Sequence, residues 1–65
     1  MKLIDHASKW GNLYRHRYYI NGKRVSESVF ELTFAGFYNV CTCLTTQESD
    51  ATWYRTTYTF KGVLS

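Results

Sequence analysis

An α+β domain is the fold class this sequence predicts: a small antiparallel sheet made as hairpin, short helix, hairpin, with the helix on one face. Three observations predict it. An aromatic, alternating run from Trp10 to Ile20 ends at Asn21-Gly22, the dipeptide that best specifies a two-residue turn because both central positions need positive φ. Helix-start signals and a later glycine bracket residues 26–36. Two threonine- and aromatic-rich runs, 37–46 and 51–61, flank the polar loop Gln47-Glu48-Ser49-Asp50. The alternative is an all-β four-stranded meander, since Phe30-Glu31-Leu32-Thr33-Phe34 also alternates with period two.

The 65 residues make one small domain, 1–65. Residues 1–9 have weak periodicity and read as a lead-in turn or short helical start, with Leu3, Ile4 and Trp10 available to pack back. Residues 10–25 read as the first hairpin. Its turn sets Ile20 opposite Lys23, Tyr19 opposite Arg24 and Tyr18 opposite Val25, so Arg24 shares a face with Arg15, Arg17 and Tyr19. Residues 26–36 read as the helix. Ser26 serves as N-cap, Ser28 and Glu31 have capping-box spacing, and Gly36 fits the position just past the end. Val29, Phe30, Thr33, Phe34 and Phe37 would form its apolar face. Residues 37–61 read as the second hairpin, in which a four-residue loop pairs Leu44 with Trp53 and Cys43 with Tyr54. One face of it then collects Phe37, Cys41, Cys43, Tyr54, Tyr58 and Phe60, a core. The other collects Tyr38, Val40, Leu44, Trp53 and Arg55, too apolar to stay uncovered. The N-terminal segment, a partner or a second copy is expected to cover it, the last as a homodimer through Val40, Leu44 and Trp53.

The net charge of +3 conceals a division along the chain. Residues 1–26 hold Lys2, Lys9, Arg15, Arg17, Lys23 and Arg24 against Asp5, whereas residues 27–50 hold Glu27, Glu31, Glu48 and Asp50 with no Lys or Arg. A positive face and a negative end follow. Cys41 and Cys43, one residue apart on a strand, point the same way and are too far apart for an ordinary disulfide. They read as small apolar residues in a reducing compartment, and Lys2-Leu3-Ile4-Asp5-His6 breaks any apolar leader at once. Cytoplasm of a bacterial host is the expected location, without membrane attachment. The stretch from Tyr18 to Ser26 resembles strand–turn–helix openings of small bacterial and phage-type accessory proteins, and carries no functional residue over.

Catalysis lacks a constellation: His6 and His16 have no sheltered nucleophile beside them in this pattern. Zinc held by His6, His16, Cys41 and Cys43 has suitable atoms at unsuitable spacings. No enzyme activity, metal or cofactor is therefore expected. The contact residues are Arg15, Arg17, Tyr19, Lys23 and Arg24 on the first hairpin with Trp53 and Arg55 on the second. Guanidinium forks beside rings suit phosphate or carboxylate groups. The function expected is that of a phage-type accessory protein, an inhibitor that binds and occludes a host nucleic-acid-processing or defence complex, protein or nucleoprotein. The alternative is a regulator that binds nucleic acid directly through the basic-aromatic face.

Overall fold

The turn at Asn21-Gly22 forms as its chemistry dictates. In the computed structural model, which describes residues 1–63, Asn21 has φ 51° and Gly22 φ 84°. Leu64 and Ser65, the end of the expected domain, lie outside the described residues. The turn joins strand β2 (Leu13–Ile20) to β3 (Lys23–Val25) with Tyr18 opposite Val25, Tyr19 opposite Arg24 and Ile20 opposite Lys23. That is the register expected from the two-residue loop. Asn21 has a second role: its side-chain carbonyl accepts from the Lys2 backbone N–H at 3.0 Å, and its own N–H donates to the Lys2 carbonyl at 2.8 Å.

Lys2 belongs to a strand that the sequence hardly announces. Residues 2–10 are neither lead-in nor helical start; they form β1 (Lys2–Trp10), the central strand of the sheet. Its helix-side positions run Leu3, Asp5, Ala7 and Lys9, so hydrophobicity does not alternate and period two is hidden. Backbone pairing on both sides, to β2 and to β5 (Trp53–Val63), outweighs that weak local preference. The expected strand 10–20 is cut by a second tight turn, Gly11-Asn12, with Gly11 at φ 62°. Positive φ at the first central position is what a II′ hairpin turn asks of glycine.

The α+β architecture is present, and the helix excludes the all-β meander. Helix α1 (Glu27–Tyr38) starts at Ser26, whose Oγ accepts from the Val29 N–H at 3.3 Å. It does not stop at Gly36. It continues through Phe37 and Tyr38 to a cap at Asn39, because Phe37 gains a contact with Phe60, ring centroids 5.9 Å apart. Phe30, Phe34 and Phe37, spaced i, i+4 and i+7, face the sheet, while Val29 is left 46% exposed.

Strand β4 (Cys41–Ser49) follows and pairs with β5, giving the antiparallel order β3-β2-β1-β5-β4. The expected loop Gln47–Asp50 lies mostly within β4. The turn sits at Asp50–Thr52, where the Asp50 carboxylate accepts from Ala51 N–H at 2.6 Å and Asp50 N–H donates to the Trp53 carbonyl at 2.7 Å. Pairing therefore runs Leu44 to Thr59 and Cys43 to Phe60, not Leu44 to Trp53 and Cys43 to Tyr54. The shift is even, so the residues of β4 and β5 keep their expected faces, whereas Phe37 and Tyr38, expected on that hairpin, lie in α1, and Val40 lies in the turn after it.

Helix α1 links one edge strand to the other. Crossing four strand spacings takes about 19 Å, and twelve helical residues span about 18 Å, so α1 lies across the strands. It covers a band of roughly 10 Å on a sheet whose four long strands run about 27 to 37 Å, in a molecule with extents of 45 × 21 × 18 Å. Beneath it lies the core: Leu3 (0% exposed), Phe30 and Phe60, ringed by Tyr18, Ile20, Val25, Phe34, Phe37, Cys41, Cys43 and Tyr58. Phe30 meets Tyr18 and Phe34 meets Tyr58, each with centroids 4.8 Å apart. Beyond the helix, Ala7 is also fully buried, between its register partners His16 and Tyr54, with Tyr14 against Tyr54 at 5.4 Å. No helix among the described residues is long and apolar enough to cross a membrane.

Candidate functional site

No element among the described residues covers the face opposite the helix. Pairing of β1 between β2 and β5 sets its residues in cross-strand rows. Near the two upper turns, Arg15, Ser8 and Trp53 stand side by side. The next row is Arg17, His6, Arg55 and Glu48. Below it run Arg24, Tyr19, Ile4, Thr57 and Thr46, and then Lys2, Thr59 and Leu44. Trp10 and Leu13 close the upper end, and Lys61 pairs with Thr42 at the lower end.

Of the expected contact residues, Arg15, Arg17, Tyr19, Arg24, Trp53 and Arg55 all lie on this one face. The two hairpin surfaces that sequence treated separately become one because β1 joins them. Lys23 does not belong with them: opposite Ile20, it lies on the helix side. The expected homodimer patch is dispersed as well. Val40 sits in the turn after α1, and Leu44 is six residues along β5 from Trp53, about 20 Å. The N-terminal segment does not cover this face; it supplies the middle of it.

Charge on the face is one-sided. Lys2, Arg15, Arg17, Arg24, Arg55 and Lys61 are here, six of the eight Lys and Arg in the chain, against Glu48, the one acidic side chain on this face among the described residues. Glu27 and Glu31 ride on the helix at the other side. Guanidinium groups lie over rings: Arg15 is 5.1 Å from the Trp10 ring centroid and Arg55 is 5.2 Å from that of Trp53. His6 stacks on Trp53 with centroids 5.5 Å apart.

One concavity, about 310 Å³, opens within these rows and is lined by Ile4, His6, Arg17, Tyr19, Gly22 and Arg55. Arg55, one of the lining residues, has its Nε buried and without a hydrogen-bond partner among the described residues. A guanidinium N–H in that state is an unfilled donor. Sequence reasoning missed His6, Ile4 and Gly22 as site residues. The one available signal was Gly11-Asn12 after Trp10, which marks a hairpin and so makes the preceding segment a strand.

The other chemistry-bearing groups lie elsewhere. His16 Nδ1 is 2.9 Å from Asp5 Oδ1 on the helix side, beside Tyr18 and Tyr54. His6 is on the opposite face, and Cys41 and Cys43, free and half-buried, pack against the core on β4. Burial pushes the Tyr18 and Tyr58 phenols above the ordinary value, and Asp5 adds to both shifts. Comparison with family models, with curated proteins and with solved structures finds no match to this chain.

Proposed function

We propose that the protein is a non-enzymatic binding module that holds a single nucleic-acid strand across its open sheet face. The observation that supports this is the segregation of six cationic side chains with Trp10, Tyr19 and Trp53 onto one surface that, among the described residues, is uncovered and carries a single acidic side chain. Arginine forks bind phosphodiester oxygens, and ring faces stack bases of any sequence. The test is fluorescence anisotropy with a labelled oligothymidylate of about ten nucleotides at increasing salt. Neutralising about four phosphates gives a slope of log K against log salt near −3. Binding absent at low salt, or indifferent to salt, would sink the reading.

A second reading draws support from the upper end of the sheet, where Trp10 is 60% and Leu13 73% exposed. An apolar tip beside a cationic face suits a protein that normally binds nucleic acid, so the module would act by occluding a host nucleic-acid-processing or defence complex. Capture from a bacterial lysate, repeated after nuclease treatment, separates the two. A partner that survives nuclease and is lost in Leu13→Asp supports occlusion; capture that vanishes with the nucleic acid returns the case to direct strand binding.

A further inference from the structure

The open face is not uniform, and the concavity in its middle rows has the makings of a specific site. His6 is the register partner of both Arg17 and Arg55, which places the two arginine backbones about 10 Å apart with an imidazole between. Two guanidinium groups that flank one position can close on a single anion from both sides. Beside them, Tyr19 and Ile4 are register partners, both half-buried, and offer a ring and an apolar floor. The concavity of about 310 Å³ joins the two halves. Sites for small ligands begin at roughly this size.

The buried Arg55 Nε supplies an independent observation. Every other row of the face leaves its cations to water, whereas here one donor is enclosed and unpaired. Glu48, the row neighbour of Arg55, forms no ion pair with it among the described residues, where the one such contact is Asp5–His16. An enclosed unpaired donor costs free energy, which a turn of the Arg55 side chain from the Trp53 ring toward an acceptor in the concavity would return. The rim of the concavity at Gly22 carries no side chain, and a Cβ built there meets nothing within 4 Å, so this side stays open for entry.

We infer that this concavity is a nucleoside-phosphate subsite. Arg17 and Arg55, with His6 between them, hold the phosphate, and Arg55 Nε donates to one of its oxygens. The base lies on Tyr19 and Ile4. The inference rests on the strand-binding reading for one of its two sources: the nucleotide is either one unit of a bound strand or a free nucleotide.

The experiment compares two double variants of equal charge loss on the full-length protein: Arg17→Gln with Arg55→Gln in the concavity, and Arg15→Gln with Arg24→Gln outside it. Each is titrated with oligothymidylate, with thymidine monophosphate and with inorganic phosphate, followed by amide chemical shifts. The concavity pair should lose at least about tenfold in strand affinity, the scale of one lost charged hydrogen bond, while the outer pair loses only a few-fold. Thymidine monophosphate should shift the amides of His6, Tyr19 and Arg55 more than inorganic phosphate does. Arg17→Lys with Arg55→Lys keeps the charge and loses the forks, so it should repeat the concavity defect with an unchanged salt slope; it also serves if the glutamine pair fails to fold. Equal losses in the two pairs would overturn the subsite and leave strand binding standing. No strand binding by the wild type, with saturable monophosphate binding at these amides, would overturn the strand reading and assign the subsite to a free nucleotide. Neither ligand binding would overturn both.

Discussion

The two faces of the sheet are made by the same strands, and alternate residues of β1 show how differently they are used. Leu3 and Ala7 point to the helix side and are fully buried. Ile4 and His6, their immediate neighbours, point the other way and line an open concavity among arginines. The helix side holds the molecule together by aromatic packing under a helix that crosses the strands. The other side has no layer over it among the described residues and carries most of the cationic charge. One strand thus divides the packed side from the open cationic side between odd and even positions.

Truncation of neighbours on β1 is the strongest way to break this division. Leu3→Ala should lower unfolding free energy by about 2–5 kcal/mol, enough to unfold so small a domain. Ile4→Ala should cost no more than about 1 kcal/mol. Urea denaturation reads both. Similar losses would mean that the open face is covered in solution, which a concentration-dependent melt would confirm.

Alkali should act through two phenols on the helix side. The Tyr18 and Tyr58 phenols have native values raised above the ordinary 10.0, burial being the main cause. Above pH 10 the unfolded chain therefore holds fewer protons than the native one, and stability falls as pH rises. Below pH 10 their contribution is complete. Tyr18→Phe with Tyr58→Phe should flatten the alkaline limb of a stability–pH curve; an unaltered limb would place the sensitive groups on the other face.

Gly36 offers a gain of smaller size. It lies inside α1, and a Cβ there meets nothing within 4 Å. Gly36→Ala should raise stability by about 0.5–1 kcal/mol, seen as a higher urea midpoint with binding unchanged. A loss would show that the helix bends at this glycine. Smallest of all is the effect of Arg15→Gln on folding, within about 0.5 kcal/mol, although the same change should weaken strand binding. A clear stability loss from it would show that the Arg15–Trp10 contact at 5.1 Å holds the upper hairpin together.

Several of these features were legible in the residues. Asn21-Gly22 dictates its own turn and thereby the pairing of Tyr19 with Arg24, since positive φ at two successive positions admits few other answers. Ser26 marks the helix start for an equally local reason. The faces of β4 and β5 were also legible, although their pairing was not. Parity along each strand survives an even slip, whereas the slip itself depends on whether Gln47, Glu48 and Ser49 form a loop or extend an edge strand. Polar residues tolerate either state, and the Asp50 turn decides.

The site was only half legible. Arg15, Arg17, Tyr19 and Arg24 fall together by local geometry, and Trp53 and Arg55 fall together by alternation. Nothing in either segment says that the two sets meet. The chain by itself determined what nearby residues control: turn type, helix start, and which side chains share a face of each strand. Tertiary structure alone decided that residues 2–10 are a strand, that this strand stands in the centre, and that it places His6 between Arg17 and Arg55. The physical reason is that β1 gains its strand state from hydrogen bonds made on both sides by partners distant in sequence, with little contribution from the preferences of its own residues.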